Sequence, residues 1–197
     1  MPKIVDHEHR RGEIVETTWR IIARRGLDAA TLRDVAAEAG FANGAIKPYF
    51  PTKASLIRAT FAHVFERTSR RIDAVTEEAT GFEALHAFCL EVLPLDEERL
   101  DEARVVISFW QSALNNPDQA ELNDAVMLEW RRKIRAWLRE ARAAGAAPAR
   151  LPVDAVAETL LTFLLGAQIA AVFDADFNTP DHLETQLEVH LGLLRAD

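Results

Sequence analysis

The chain has 197 residues, 49% of them hydrophobic and 27% charged, with 8 Gly, 8 Pro and a formal charge of −8. Those proportions exclude disorder, and so few turn-formers leave little for a turn-rich β architecture. The single cysteine, Cys89, excludes an internal disulfide and a cysteine-built zinc site. The expected class is all-α, with room for a small module joined to a larger one.

The charge is uneven. Residues 1–53 hold nine Lys and Arg against seven Asp and Glu, and the remainder holds fourteen against twenty-four. An acidic body with a mildly basic head is compatible with a nucleic-acid partner, because phosphates respond to the local face. The opening "MPKIVDHEHRRGEI" has no apolar core of the kind a secretory signal needs, so a cytoplasmic location is expected.

From about Glu8 to Arg25, Ile14, Thr18, Ile21 and Ile22 share one helical stripe, and Gly26 suits its C-terminal cap. Thr31, followed three places on by Asp34, starts a short second helix over about 32–39 that Gly40 ends. The stretch "GFANGAIKPYFPTK" predicts a third short helix over Asn43–Lys47, bounded by Pro48. Thr52 caps a fourth, in which Ile57, Phe61, Phe65, Thr68, Ile72 and Val75 keep one face for more than twenty residues, long enough to join two modules. Helical patterns follow over about 82–92, 97–115, 118–144, 153–174 and 180–195. The run "TLLTFLLGAQIAAVF" has fifteen residues without a charge, short of the roughly 18 of a membrane span, and reads as a helix buried on more than one side; no membrane partner is expected.

Two short helices joined at a glycine and packed on a third form a helix-turn-helix, whose second short helix enters the major groove. Gly44 and Ala45 permit close backbone approach, Asn43 offers an amide and Lys47 a cation. An ordinary helical corner with a solvated lysine has the same spacing.

The segment "IVETTWRIIARRGLDAATLRDVAAEAGFANGAIKPYFPTKASLIRATF" resembles the N-terminal domain of the TetR family of transcriptional regulators. It shares Gly26, Thr31, Val35, Ala36, Gly40, Gly44, Tyr49, Phe50, Lys53 and Leu56 at the family's spacing. The C-terminal part is similar to the branch around the choline-responsive regulator BetI. The resemblance implies a homodimeric repressor on a palindromic operator, with residues 1–53 as the DNA-binding domain and 54–197 as the effector-binding and dimerisation domain. A small molecule in the larger half would alter the separation of the recognition helices. Thr31 and Lys53 would hold phosphates, Asn43, Gly44, Ala45 and Lys47 would face the groove, and Arg33 and Tyr49 complete the candidate DNA contacts. Two departures stand out. The family usually has Ser or Thr where Ala42 stands. It usually has Tyr at Lys47, followed by His, Tyr or Arg at Pro48; a lysine can hold the same phosphate by charge.

In the larger half Trp110 falls on the stripe Leu100, Ala103, Ile107, Trp110, Leu114, while Trp130 and Trp137 fall on Leu122, Val126, Trp130, Ile134, Trp137, Leu138. Such stripes form cores, but the indoles beside Phe109 and Phe163 are also the candidate lining of an effector pocket. His86 and Cys89 share a helical face without a third metal ligand, and read as a core cysteine beside a surface histidine. The acidic run "LDEERLDEA" reads as a solvated helix start rather than a magnesium site. No metal or cofactor is expected. Val156, Leu160 and Leu164, with Gly166 for close approach, and Leu183, Leu187 and Leu191 are the candidate dimer face, a four-helix pairing of the last two helices; completing the monomer's own core is the other use for them. An all-helical enzyme or carrier using the pocket, and a protein-interaction module, are the rival classes; no enzyme activity is expected.

Overall fold

The computed structural model describes residues 7–42 and 44–195. Eight helices and no strand occur among them: α1 (His7–Arg25), α2 (Leu32–Glu38), α3 (Lys53–Thr76), α4 (Gly81–Val92), α5 (Glu97–Ala113), α6 (Pro117–Ala143), α7 (Val153–Phe173) and α8 (Pro180–Gly192). Their starts follow local chemistry. The side chains of Thr31, Asp96, Asn116 and Thr179 each accept a backbone N–H in the first turn, and Thr52 with Ser55 closes a reciprocal capping box on α3. Pro117 and Pro180 occupy first-turn positions, where a missing N–H costs nothing.

The buried side chains form two clusters. The smaller is built from Ile14, Ile21 and Ile22 of α1, Val35 of α2, Ile46, Phe50 and Leu56, and it takes in Val64 of α3 and Val105 of α5. The larger holds Phe61 and Ile72 of α3, Phe88 of α4, Phe109 of α5, Trp130 and Ile134 of α6, and the inner faces of α7 and α8. α3 therefore feeds both cores. α1 packs on α3 and α5, α4 on α3, α6 and α8, and α7 on α5 and α6. α7 is long and apolar enough to cross a membrane by composition alone. Here Leu160, Leu161, Leu164, Ala167 and Gln168 are instead buried within the protein.

Two sequence expectations need correction. Among the described residues the third short segment is a chain of turns rather than a regular helix: over Gly44–Tyr49, Ala45 N–H bonds Ala42 O, Lys47 N–H bonds Gly44 O and Tyr49 N–H bonds Ile46 O at 2.9, 3.2 and 2.9 Å, and Phe50 N–H also bonds Ile46 O at 2.9 Å. Gly44 sits at φ +88°, outside helical geometry, and Pro48 has no N–H to give. Leu160, Leu164, Leu183, Leu187 and Leu191 are at most 2% exposed within one chain. They fill the subunit's own core and present no face to a partner; Val156 is half-buried and Gly166 exposed.

Candidate nucleic-acid interface and ligand cavity

At the head, α2 ends in a glycine cap: Gly40, at φ +72°, donates to Ala37 O, and Phe41 donates to Ala36 O at 2.8 Å. This turn swings the chain out of α2 and into the 44–49 segment. Ile46 and Phe50 anchor that segment in the smaller core, so the residues between them face outward. Gly44, Lys47 and Pro48 are exposed, and Ala45 and Tyr49 are half-buried. Arg33, on α2, is exposed as well. Neither the Arg33 nor the Lys47 side chain has a hydrogen-bond or ion-pair partner among the described residues. Asn43 lies outside the described residues.

The remaining predicted contacts are more committed. Thr31 Oγ1 accepts from Asp34 N at 3.2 Å and also faces the Asp34 carboxylate. Lys53 Nζ donates to Leu27 O at 2.8 Å, tying the start of α3 to the turn after α1. Its two other protons stay available. The Tyr49 ring lies 5.4 Å from that of His7, and the Arg11 guanidinium sits 4.8 Å over Phe50. The outer surface thus offers two unpaired cations, a close-approach glycine and the open end of a capped helix, the features that hold phosphate and admit a groove.

Behind the head, α3 to α7 surround a cavity of about 40 Å³. One wall is aromatic, formed by Phe61 and Phe65 of α3, Trp110 of α5 and Trp130 of α6. The other is polar, formed by Thr68, Glu91, Arg99, Glu102 and Gln168. Of the expected pocket residues, Trp110 and Trp130 line it and the others do not. Phe109 is stacked on Phe61 at 3.8 Å within the core. Trp137 packs on Phe88 at 5.6 Å, and Phe163 stacks on His190 at 4.3 Å in an outer groove between α7 and α8.

The polar wall is an ion-pair network. Arg71 donates from both terminal nitrogens to Glu102, at 2.9 and 2.7 Å, and from Nε to Glu91 at 2.9 Å. Arg99 Nη2 reaches both oxygens of Glu91 at 2.9 Å, and Arg67 pairs with Glu98 and stands 3.7 Å from Glu16 of α1. The hydrogen bonds to Glu102 hold the Arg71 guanidinium above its ordinary value despite the opposing cost of burial. Glu102 is only 6% exposed, so the acidic run is solvated at Glu97 and Glu98 and buried at Glu102. Sequence reasoning missed Glu91, Arg99, Glu102 and Gln168. The available signal was Arg67 and Arg71, one helical turn apart beside the apolar stripe of α3, where buried guanidinium groups require carboxylates.

The surroundings of Cys89 and His86 are simple. Cys89 is fully buried, and desolvation raises its thiol far above the ordinary range, while His86 Nε2 lies 2.9 Å from Glu188. Among the described residues no cluster of three or more His, Cys, Asp or Glu could hold a metal ion.

A turn-rich outward face with free cations, carried by a helix that also walls an internal cavity, is the build of a two-part regulator that binds DNA. The signature of bacterial regulatory proteins of the tetR family matches residues 14–60, and that of the C-terminal part of BetI-type transcriptional repressors matches residues 81–196. The HTH-type transcriptional regulator PksA of Bacillus subtilis is 30% identical over 192 residues, covering 97% of this chain and 92% of that protein. The BetI regulator of Paraburkholderia phytofirmans is 30% identical over 121 residues, 59% of this chain and 61% of that one. Among solved structures, a transcriptional regulator from Rhodococcus sp. Rha1 superposes with a TM-score of 0.83 at 26% identity, covering 93% of this chain and 95% of that chain. A regulator from Saccharomonospora viridis in complex with choline shares the fold, with a TM-score of 0.91 at 24% identity over 96% of this chain and all of that one. The chain belongs to the TetR family of DNA-binding transcriptional regulators, with a C-terminal half of the BetI type.

Proposed function

We propose that the protein is a cytoplasmic homodimeric repressor that holds a palindromic operator with residues 1–53 and releases it when a small molecule enters the cavity of residues 54–197. The observation that carries this reading is the double duty of α3. Lys53 stands at its DNA-side start, and Phe61 and Phe65 wall the cavity, the first of them about 12 Å further along at 1.5 Å per residue. α3 is not the only connection. Val105 of α5 packs into the head's core, and α6 docks its first turn on the start of α3 through Gln119 to Ala54 O at 3.4 Å and Arg58 to Asp118 O at 2.9 Å. A change in cavity shape would therefore reach the head through three helices. That the Saccharomonospora viridis regulator of the same fold is in complex with choline supports a small-molecule effector.

On the DNA side Arg33, Lys47 and Lys53 serve phosphates, with Thr31 holding the start of α2, while Asn43, Gly44, Ala45 and Tyr49 meet the groove. For the dimer, the outer faces of α7 and α8 replace the buried leucines. Ile169, Phe173, Val189 and Leu193 are 41%, 79%, 58% and 81% exposed, and Gly166 and Phe163 line the groove between them. Desolvating that stripe against its symmetry mate favours a two-fold pair.

The test is fluorescence anisotropy with labelled DNA from the region flanking the protein's own gene, competed with random duplex. Specific binding of two chains per site is expected, and equal affinity for random duplex would refute operator recognition.

A further inference from the structure

Three of the residues that line the cavity each carry a buried side-chain atom with no hydrogen-bond partner among the described residues: Arg99 Nε, Trp130 Nε1 and Gln168 Oε1. Trp130 and Gln168 are 7% and 6% exposed, so bulk water does not serve them. Their neighbours are satisfied by contrast. Trp110 donates to Asn123 Oδ1 at 3.0 Å, and Gln168 Nε2 donates to Val92 O at 3.3 Å. A buried polar atom left unpaired costs about 1–3 kcal/mol, so three on residues lining one cavity call for an occupant that pairs them.

The carboxylates of the lining are already paired. Glu91 and Glu102 are the lining carboxylates, and Arg71 and Arg99 bind them at 2.7–2.9 Å. Beyond them Glu98 and Glu16 face Arg67, and Asp96 faces Arg99. No lining carboxylate lacks a guanidinium, so a cation entering here would give up its hydration with only aromatic faces in return. An anion would meet Glu91 and Glu102 at the same wall.

We infer that the cavity takes an uncharged ligand: a compact apolar body, held by Phe61, Phe65, Trp110 and Trp130, that carries a hydroxyl or a hydroxyl and carbonyl pair. The oxygen accepts from Trp130 Nε1 and Arg99 Nε, and the hydroxyl proton goes to Gln168 Oε1. This rests on the reading of the cavity as the effector site and specifies the chemistry of its ligand. At about 40 Å³ the cavity has room for only a few waters, so the ligand widens it on entry, displacing helices that reach the head.

Choline and dimethylbutanol, its carbon isostere with a quaternary carbon in place of the nitrogen, have the same shape and the same hydroxyl and differ in charge. Calorimetric titration of the full-length dimer with each should give at least about tenfold tighter binding for the alcohol. Trp130→Phe, which removes the indole N–H together with its second ring, and Gln168→Met, which keeps the chain length and removes the amide with its bond to Val92 O, should each weaken the alcohol by about tenfold. Choline binding as tightly as the alcohol or more so overturns the inference and leaves the effector-site reading standing. Alcohol binding that neither variant alters overturns the assignment of the hydrogen bonds. If neither compound binds and Gln168→Met raises the melting temperature, the wall holds water alone, and the effector-site reading falls with the inference.

Discussion

The outward face of the head and the polar wall of the body use their cations in opposite ways. Arg33 and Lys47 stand exposed at the head without an acidic partner among the described residues, while Arg67, Arg71 and Arg99 of the body each bind at least two carboxylates. An unpaired surface cation costs its subunit little and remains free to replace the counterions of a phosphate. A half-buried guanidinium held by carboxylates lacks that freedom, because removing one partner leaves its charge poorly compensated. Net charge is therefore a poor guide to partners: the body holds 24 of the 31 carboxylates, yet several of them are bound internally. The same division separates the two faces of α7, where Leu164 is sealed in the core and Phe173 is 79% exposed.

The largest effect expected is on the sealed face. Leu164→Glu places an uncompensated carboxylate in a site with no exposure and should cost roughly 5 kcal/mol or more, a large part of an ordinary domain's stability. Circular dichroism and urea unfolding should show loss of the fold rather than a folded monomer. A folded, dissociated Leu164→Glu variant would return this leucine to the dimer face. Next comes Glu102→Ala, which leaves Arg71 with Glu91 and a longer 3.9 Å pair to Glu98 and should destabilise by about 3 kcal/mol in urea, without a change in the salt dependence of DNA binding. A loss under about 1 kcal/mol would mean that the network is solvated and that the contrast with the head is only one of degree.

A smaller and different effect is expected from the open face of α7 and α8. Leu193→Glu should shift the sedimentation of the protein from dimer to monomer at micromolar concentration and leave the helical content unchanged, since the side chain is 81% exposed in the single chain. Operator affinity should fall with it, because one half-site lacks the second chain's contacts. A Leu193→Glu protein that stays dimeric moves the interface off these helices.

Most helix limits were legible because they are set within a few residues. Thr31, Thr52, Asn116 and Thr179 cap where a polar side chain precedes an apolar period, and Pro117 and Pro180 mark first turns. The 44–49 segment was harder, because its length and glycines permitted a short helix; the φ of +88° at Gly44 and the missing N–H at Pro48 leave turns instead. Periodicity identified an apolar stripe on each closing helix without saying what covers it. The leucines at 160, 164, 183, 187 and 191 are covered by this chain, and the residues a few positions on are open. The polar wall was the least legible part. Glu102 is buried because Arg71, thirty-one residues earlier in sequence, arrives beside it, and nothing in "LDEERLDEA" alone separates Glu102 from its solvated neighbours. Trp110 and Trp130 were identified as pocket residues by their polar N–H, and it is that N–H on Trp130 that has no partner.

The smallest effect expected is at Lys47, and it bears most directly on the contrast between free and bound cations. Its ammonium has no acidic partner to lose, so Lys47→Ala should leave stability within about 0.5 kcal/mol of the parent, as surface substitutions generally do. On DNA the same side chain releases a counterion. Removing it should make the plot of log affinity against log salt shallower by about 0.9 for each phosphate that Lys47 neutralises, one per subunit, and should weaken binding to operator and random duplex alike. Arg71→Ala supplies the opposite control, with a large loss of stability and an unchanged salt slope in whatever fraction stays folded. If Lys47→Ala leaves the slope unchanged and instead alters the preference among operator variants, Lys47 reads base edges. The unpaired cation would then serve specificity, and phosphate binding at the head would fall to Arg33 and to the two remaining protons of Lys53.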